Sequence, residues 1–215
     1  MNPQDNSDPT PEVGRRERRR NETRTRIFRA AMKLFARDGF VETKVESITK
    51  AADVAKGTFF NYFPSKEAIV AEMAKRLMMG LSAQADQAQR EDTVLPALRS
   101  LPEHIVSGPG QSPVLFRTLM GTVLLNRPLT ALFQEIAETA RVQIARILAR
   151  GQELGEIRQD VSADELARSF QQFAWGTLVM WSLLGTDDVR ARLALTVEIF
   201  WKGVATETRH EMWMV

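Results

Sequence analysis

The chain has 215 residues, of which 44% are hydrophobic and 26% charged, so it is not a wholly disordered protein and has room for one large domain or two small ones. It has no cysteine and only two, widely separated histidines, His104 and His210, which excludes disulfide bonds, thiolate metal sites and a histidine cluster; we expect no cofactor. The net charge of +2 is unevenly distributed, because residues 1–66 hold 14 Lys and Arg against 9 Asp and Glu, whereas residues 67–215 hold 15 against 18. This imbalance predicts a nucleic-acid surface in the N-terminal part.

The first segment, residues 1–19, is predicted to be a disordered basic arm. Residues 1–14 are rich in Pro, Asp and Asn and have almost nothing to bury, and the run RRERRR follows them at residues 15–20. No apolar block follows the arginines, so we expect neither a secretory signal nor a membrane anchor. An extended arm of this kind, Arg15 to Arg20, could enter the minor groove of DNA. The alternative is a solvated arginine tail with no partner.

Three helices are predicted over residues 20–66. The first carries an apolar stripe at helical spacing, formed by Ile27, Ala30, Ala31, Leu34 and Phe35. The second begins at Thr43, which forms a predicted capping box with Glu46, and ends near Asp53, a residue type that tolerates left-handed backbone. The third, residues 56–62, ends before a proline. Two short helices joined by so tight a turn predict a helix-turn-helix.

The rest of the chain is predicted to be helical as well. A fourth helix starts after a predicted N-cap at Ser65 and continues to about residue 90. Further helices are expected at residues 94–106, 113–126, 128–154, 163–184 and 188–207. No sustained alternating strand pattern and no internal repeat interrupts them. The fold class is therefore all-α, with about nine helices. The longest apolar stretch, residues 173–184, is shorter than the roughly 20 residues of a membrane span and is expected to be a buried helix. With no cysteine and no expected signal or anchor, a cytoplasmic location is the default expectation.

The last two predicted helices are apolar on both sides. In residues 163–184, a broad face is formed by Leu166, Phe170, Phe173, Thr177, Trp181 and Leu184, and a second ridge by Trp175, Val179 and Leu183. The last helix has Leu193, Val197, Phe200 and Val204 on one side and Leu195 and Ile199 on the other. A helix that is apolar all round must be covered on both sides, and a second copy of the chain can cover it. We therefore predict a homodimer that buries Val179, Leu183, Leu195 and Ile199; the alternative is that the ridges pack on each other within a monomer.

Residues 43–70, TKVESITKAADVAKGTFFNYFPSKEAIV, resemble the helix-turn-helix signature of the TetR family of transcriptional regulators, most clearly in KGTFFNYFPSKEAIV. The resemblance covers about residues 20–75, and beyond them only chain length and helix order match. It implies a DNA-binding domain over residues 20–66 and a ligand-binding and dimerisation domain over residues 67–215. The function it implies is that of a non-enzymatic regulator, usually a repressor, which binds double-stranded, palindromic operator DNA as a homodimer. In relatives, a small-molecule effector held among the middle helices moves the fourth helix and releases the DNA.

The recognition helix is expected to offer polar side chains to DNA and to be anchored by Phe59 and Phe63. By resemblance, the candidates for contact with bases or nearby phosphates are Lys56, Thr58 and Asn61. The positions that often hold the DNA backbone are occupied by Tyr62, Lys66 and Lys44. Tyr62 and Phe60 could instead be core aromatics, and Lys66 a solvated first-turn lysine.

The signature contains one glycine with an expected packing role and four departures from the usual pattern of the family. Gly57 is expected to let the backbone pack closely, as in relatives. Four positions depart from the usual pattern: Glu46, Asp53, Ala55 and Phe60. Alanine in place of the usual serine at Ala55 forgoes an N-cap worth about 1 kcal/mol. These departures leave the fold intact, but they prevent the operator sequence from being taken over from a relative.

The candidate ligand contacts are apolar residues on helices that could line a cavity: Met73, Leu77, Phe116, Met120, Phe133, Phe170 and Trp175. They would suit a hydrophobic or aromatic ligand, although such residues at helical spacing are also ordinary core. Two alternative functions remain: a helical adaptor, and a non-specific nucleic-acid-binding protein without a ligand switch. No nucleophile, base and orienting acid occur at a telling spacing, so an enzyme is not expected. The sequence does not identify the effector, the operator or the regulated genes, and it does not distinguish repression from activation.

Overall fold

The computed structural model describes residues 11–106, 112–185 and 188–206, with side chains from residue 14 onward. Within these ranges the chain forms nine helices and no named strand, so the all-α prediction is confirmed. The helices are α1 Pro11–Asp38, α2 Val45–Ala52, α3 Lys56–Tyr62, α4 Glu67–Ala88, α5 Leu95–Val106, α6 Pro113–Leu125, α7 Arg127–Glu153, α8 Ala163–Leu184 and α9 Val189–Val204. Apart from the start of α1, the predicted ends lie within about three residues of these bounds. None of the described helices is long and apolar enough to cross a membrane.

The start of α1 differs from the predicted disordered arm. Residues 1–10 lie outside the described part of the chain, but from Pro11 onward the backbone is helical, so the arginine run is part of a helix and not an extended arm. Two local features favour this: proline is well tolerated in a first helical turn, and the Arg18 guanidinium lies 3.6 Å from the Glu22 carboxylate one turn later. The arginine-rich turns of α1 are exposed.

The described chain divides between Ile69 and Val70 into two compact units. In the N-terminal unit, α1 packs against α2 and α2 packs against α3. Ile27, Phe35, Ile48, Phe59 and Ile69 are all fully buried. This small core fixes α2 and α3, which are too short to be stable alone.

The C-terminal unit is built around two apolar clusters. The larger one joins α4, α5, α7, α8 and α9, and the smaller one joins the end of α5 with α6, α8 and α9. Side-chain caps start the longer helices, because Ser112, Asn126 and Ser162 each accept a hydrogen bond from a backbone N–H three residues later. The buried Glu156 accepts a hydrogen bond from the backbone N–H of Val94 at 2.8 Å, which ties the segment after α7 to the start of α5.

Candidate DNA-binding surface and ligand cavity

The turn between α2 and α3 consists of three residues and depends on a left-handed residue. Asp53 adopts φ 50° and ψ 59°, as its tolerance of this region predicted. The N–H of Val54 bonds to the carbonyl of Thr49 at 3.1 Å and closes the end of α2. Ala55 is the N-cap of α3 and makes no side-chain hydrogen bond there, as expected for alanine. The two helices therefore form the predicted helix-turn-helix.

The recognition helix α3 is anchored through one face. Phe59 and Phe63 are buried, their ring centroids lie 6.2 Å apart, and the guanidinium of Arg24 lies 5.2 Å from the Phe63 ring. Phe60 is 45% exposed, so the alternative that it is a core residue is wrong. Gly57 also differs from expectation. A Cβ at this position would meet no atom within 4 Å, so packing within the chain does not require glycine there.

Most of the predicted DNA contacts lie on the accessible side of this motif. Lys56 and Asn61 are exposed on α3, Lys44 is exposed just before α2, and Thr58 and Tyr62 are half-buried. Their contact with DNA remains a prediction. Lys56, Thr58, Asn61 and Tyr62 lie together on α3, whose N-terminus is the end that reads bases in helix-turn-helix proteins.

Glu46 pairs with Lys56 across the two helices. The Lys56 ammonium donates a hydrogen bond to the Glu46 carboxylate at 2.6 Å, and both side chains are exposed. This hydrogen bond lowers the pKa of Glu46 below its ordinary value. The predicted capping box is wrong: α2 begins after Lys44 without a side-chain cap, and the Thr43 hydroxyl donates to the carbonyl of Gly39 at 2.6 Å. The competing bond to the preceding turn buries Thr43 and removes it from the helix start.

Lys66 has a structural role that the sequence did not reveal. Its ammonium donates hydrogen bonds to the carbonyls of Phe40, Val41 and Thr43 at 2.8, 2.9 and 3.3 Å. It also lies 4.6 Å from the centroid of the Phe40 ring. Lys66 therefore ties the turn after α1 to the start of α4. The aromatic Phe40 beside Gly39 was the only signal in the sequence, and it does not specify a partner 26 residues away.

The C-terminal unit contains a cavity of about 130 Å³ with walls from α4, α5, α6, α7 and α8. Four of the seven candidate ligand contacts line it: Leu77, Phe116, Phe170 and Trp175. Of the remaining three, Phe133 packs against Trp175 with ring centroids 5.0 Å apart, Met120 packs on the smaller apolar cluster, and Met73 is half-buried on α4. The walls also include two polar residues that the sequence did not single out, His104 and Gln171. A polar residue on an otherwise apolar helix face was the available signal.

A strip of apolar side chains on α8 and α9 is exposed. Val179, Leu183, Leu195 and Ile199, the predicted dimer contacts, are 41–60% exposed. Phe173 and Leu184, which were predicted on the other side of α8, are exposed too, and Trp175 faces the cavity. The predicted division of α8 into two faces was therefore partly wrong. The buried side is formed by Leu166, Phe170, Ala174 and Leu178, because residues four apart follow one stripe along a straight helix.

The accessible recognition helix in one unit and the cavity in the other are the features of a DNA-binding transcriptional regulator. Among the described residues, no group of three His, Asp or Glu side chains is placed to hold a metal ion. The helix-turn-helix and the cavity define the class of protein as a helix-turn-helix regulator.

Comparisons with known proteins agree on one family. Residues 27–73 match the family described as "Bacterial regulatory proteins, tetR family". The FadR repressor of Thermus thermophilus, solved with lauroyl-CoA, is 31% identical with a TM-score of 0.59, over 84% of this chain and 94% of that chain. The repressor DhaR of Mycobacterium sp. (strain GP1) is 26% identical over 159 residues, which are 69% of this chain and 76% of DhaR. SmeT, solved with triclosan, has a TM-score of 0.71 at 22% identity, over 86% of this chain and 93% of SmeT, and shows likeness of fold. The chain belongs to the TetR family of transcriptional regulators, as its helix-turn-helix predicted.

Proposed function

We propose that the protein is a homodimeric repressor in the cytoplasm that binds a palindromic operator through α3 and is released from it by a small hydrophobic or aromatic ligand. The observation that carries this proposal is the cavity enclosed by α4 to α8. The names of its relatives support it, since FadR and DhaR are called repressors and FadR was solved with lauroyl-CoA. Ligand binding can release DNA only if the ligand favours the conformation that binds DNA less well.

The dimer is supported by the exposed apolar strip of α8 and α9. Exposed leucine and isoleucine side chains clustered on two neighbouring helices are typical of a protein interface. Replacement of Leu183 by glutamate places a charge in that interface and is expected to give monomers in sedimentation experiments at micromolar concentration. The matched control is Val142→Glu, an exposed apolar position on α7, which should leave the dimer intact. A wild-type protein that sediments as a monomer contradicts the dimer.

The DNA contacts are proposed for Lys44, Lys56, Thr58, Asn61 and Tyr62. Lys66 is left out because its ammonium is occupied by three backbone carbonyls. Replacement of a residue that reads bases should cost about 1–3 kcal/mol and relax specificity at one operator position, whereas loss of a phosphate contact weakens binding to all sequences. Asn61→Ala is therefore expected to change the preference among operator variants. Lys44→Met should lower the salt slope of binding by about 0.9 and leave that preference unchanged.

The operator itself can be sought in the intergenic DNA beside the gene, and then compared with random DNA at two salt concentrations. A specific regulator binds its site about 10³ to 10⁷ times more tightly than random sequence. If the affinities for the intergenic DNA and for random DNA are nearly equal at both salt concentrations, the alternative of a non-specific nucleic-acid-binding protein is supported. An adaptor, the other alternative, binds neither DNA.

A further inference from the structure

The size of the cavity limits its ligand. Its volume of about 130 Å³ is close to that of the engineered protein cavity of about 150 Å³ that binds benzene, and well below the roughly 300–1,000 Å³ of sites for drug-sized molecules. We propose that the effector is an uncharged single-ring aromatic compound, or an apolar molecule equally compact, and not a long-chain acyl thioester. This inference rests on the proposed ligand switch and specifies what operates it.

Aromatic side chains form a braced wall of the cavity. The rings of Phe116 and Trp175 lie with centroids 5.7 Å apart and planes inclined by 33°. Phe133 meets Trp175 edge-on at 5.0 Å and is not itself part of the lining. Because Trp175 contacts both of these rings, its indole is supported in place, and it contributes an aromatic surface to the cavity lining. Such a surface suits the face or edge of one further ring.

The rest of the cavity lining offers little room for expansion. Leu101, Ile144, Ala174 and Leu178 line the cavity and are more than nine-tenths buried in the two apolar clusters. Moving them apart would open gaps in cores that are packed like organic crystals. A lauroyl chain has twice as many carbon atoms as benzene, so it requires such movement, whereas a single ring does not.

The polar groups of the lining favour an uncharged ligand. The described lining residues include no Lys or Arg, and a carboxylate or phosphate placed there without a cationic partner would be strongly disfavoured. His104 lies with its Nδ1 atom 3.1 Å from the carbonyl of Ser100, and because a carbonyl can only accept, Nδ1 is the donor. The Gln171 amide donates to the carbonyl of Ala137 at 2.8 Å. Bonds to the protein's own backbone hold both side chains in fixed orientations at the cavity wall.

The test is calorimetric titration of the full-length protein with toluene, phenol and lauroyl-CoA. We expect toluene or phenol to bind with one site per chain and lauroyl-CoA to bind at least tenfold more weakly. Tighter binding of lauroyl-CoA, or no binding of either ring compound, overturns the inference.

Two variants on the same helix locate the binding. Ala137→Leu adds three carbon atoms at the cavity wall and should weaken ring binding at least tenfold. Ala145→Leu makes the same change at a half-buried position of α7 outside the lining and should leave ring binding unchanged. Ring binding that survives Ala137→Leu with its affinity intact places the ligand elsewhere and overturns the inference.

Release of operator DNA is measured separately, so that the two proposals can fail independently. If phenol binds in the cavity and the protein remains bound to DNA, the proposed release of DNA by the ligand is contradicted, and the proposed site for a single ring is supported. If lauroyl-CoA releases the DNA and ring compounds neither bind nor release it, the switch stands and the ring-sized site is refuted.

Discussion

The N-terminal unit combines a small apolar core with a few polar contacts at defined positions in its turns, whereas the C-terminal unit is built on two larger apolar clusters and also exposes apolar side chains on α8 and α9. In the first unit, Lys66, Thr43 and Asp53 each have one identifiable task in a turn. In the second, any one of many apolar side chains contributes to a shared interior. The difference shows where each function can be identified. In the N-terminal unit it depends on individual side chains, and in the C-terminal unit it depends on the cavity and on the exposed apolar strip of α8 and α9.

The largest expected effect tests how concentrated the N-terminal core is. Phe59→Ala removes a fully buried ring from α3 and should lower the free energy of unfolding by about 3–5 kcal/mol. Its neighbour Phe60 is 45% exposed, and Phe60→Ala should cost less than about 1 kcal/mol. Urea unfolding followed by circular dichroism measures both. Equal losses would show that α3 is not anchored through one face.

Next in size is the loss of the Lys66 contacts. Lys66→Met leaves three backbone carbonyls without their donor and should destabilise the N-terminal unit by about 1–3 kcal/mol. Thermal unfolding is the measurement, and Lys44→Met is the control that should leave the melting temperature unchanged. A variant with unaltered stability but weakened DNA binding would assign Lys66 to DNA contact in place of the turn.

Two glycines should respond in opposite directions. In the C-terminal unit, a Cβ at Gly151 would lie 2.6 Å from Ile157 and 2.8 Å from Val94, so Gly151→Ala should cost about 1–3 kcal/mol. At Gly57 the space is open, and Gly57→Ala should raise the free energy of unfolding by about 0.5 kcal/mol because alanine favours helix. Denaturant unfolding decides both signs. If Gly57→Ala weakens DNA binding despite this gain, the glycine serves the approach of DNA.

The smallest effect concerns Glu46, which neutralises Lys56. Glu46→Gln should free the ammonium for phosphate and raise the salt slope of DNA binding by about 0.9. The loss of affinity between 50 and 200 mM salt should then be larger by a further factor of about 3.5. Binding titrations at both salt concentrations measure the slope. In the control, the double variant Glu46→Gln/Lys56→Met, the ammonium is absent and the slope should not rise.

The same pair predicts how DNA binding depends on pH. Because the hydrogen bond from Lys56 lowers the pKa of Glu46, the carboxylate stays charged as the pH falls below its ordinary pKa, and the pair is lost only near the lowered value. The pair should therefore give no pH dependence near neutrality. Affinity titrations that show one near neutral pH, and lose it in Glu46→Gln, would contradict this assignment.

Sequence patterns predicted the helices and the motif because both depend on short-range rules. Apolar spacing of three and four residues placed α4 to α9, and the tolerance of Asp53 for left-handed backbone placed the end of α2. The role of Lys66 and the pairing of Glu46 with Lys56 were missed, because both join residues brought together only by the tertiary fold. The exposure of Phe173 was missed for a similar reason, since apolar character does not say which side of a helix has a neighbour.

The three carbonyls around Lys66 also bear on redesign of the protein. A tetrahedral ammonium can direct its three hydrogens to three separate oxygens, whereas a guanidinium is flat and presents its donors in one plane, so arginine is a poor substitute at this position. Operator preference can therefore be engineered by exchanging exposed residues of α3, such as Asn61, while the lysine is kept as part of the scaffold. Transplanting a foreign recognition helix into this protein should succeed only if Lys66 and the turn that it holds are retained with it.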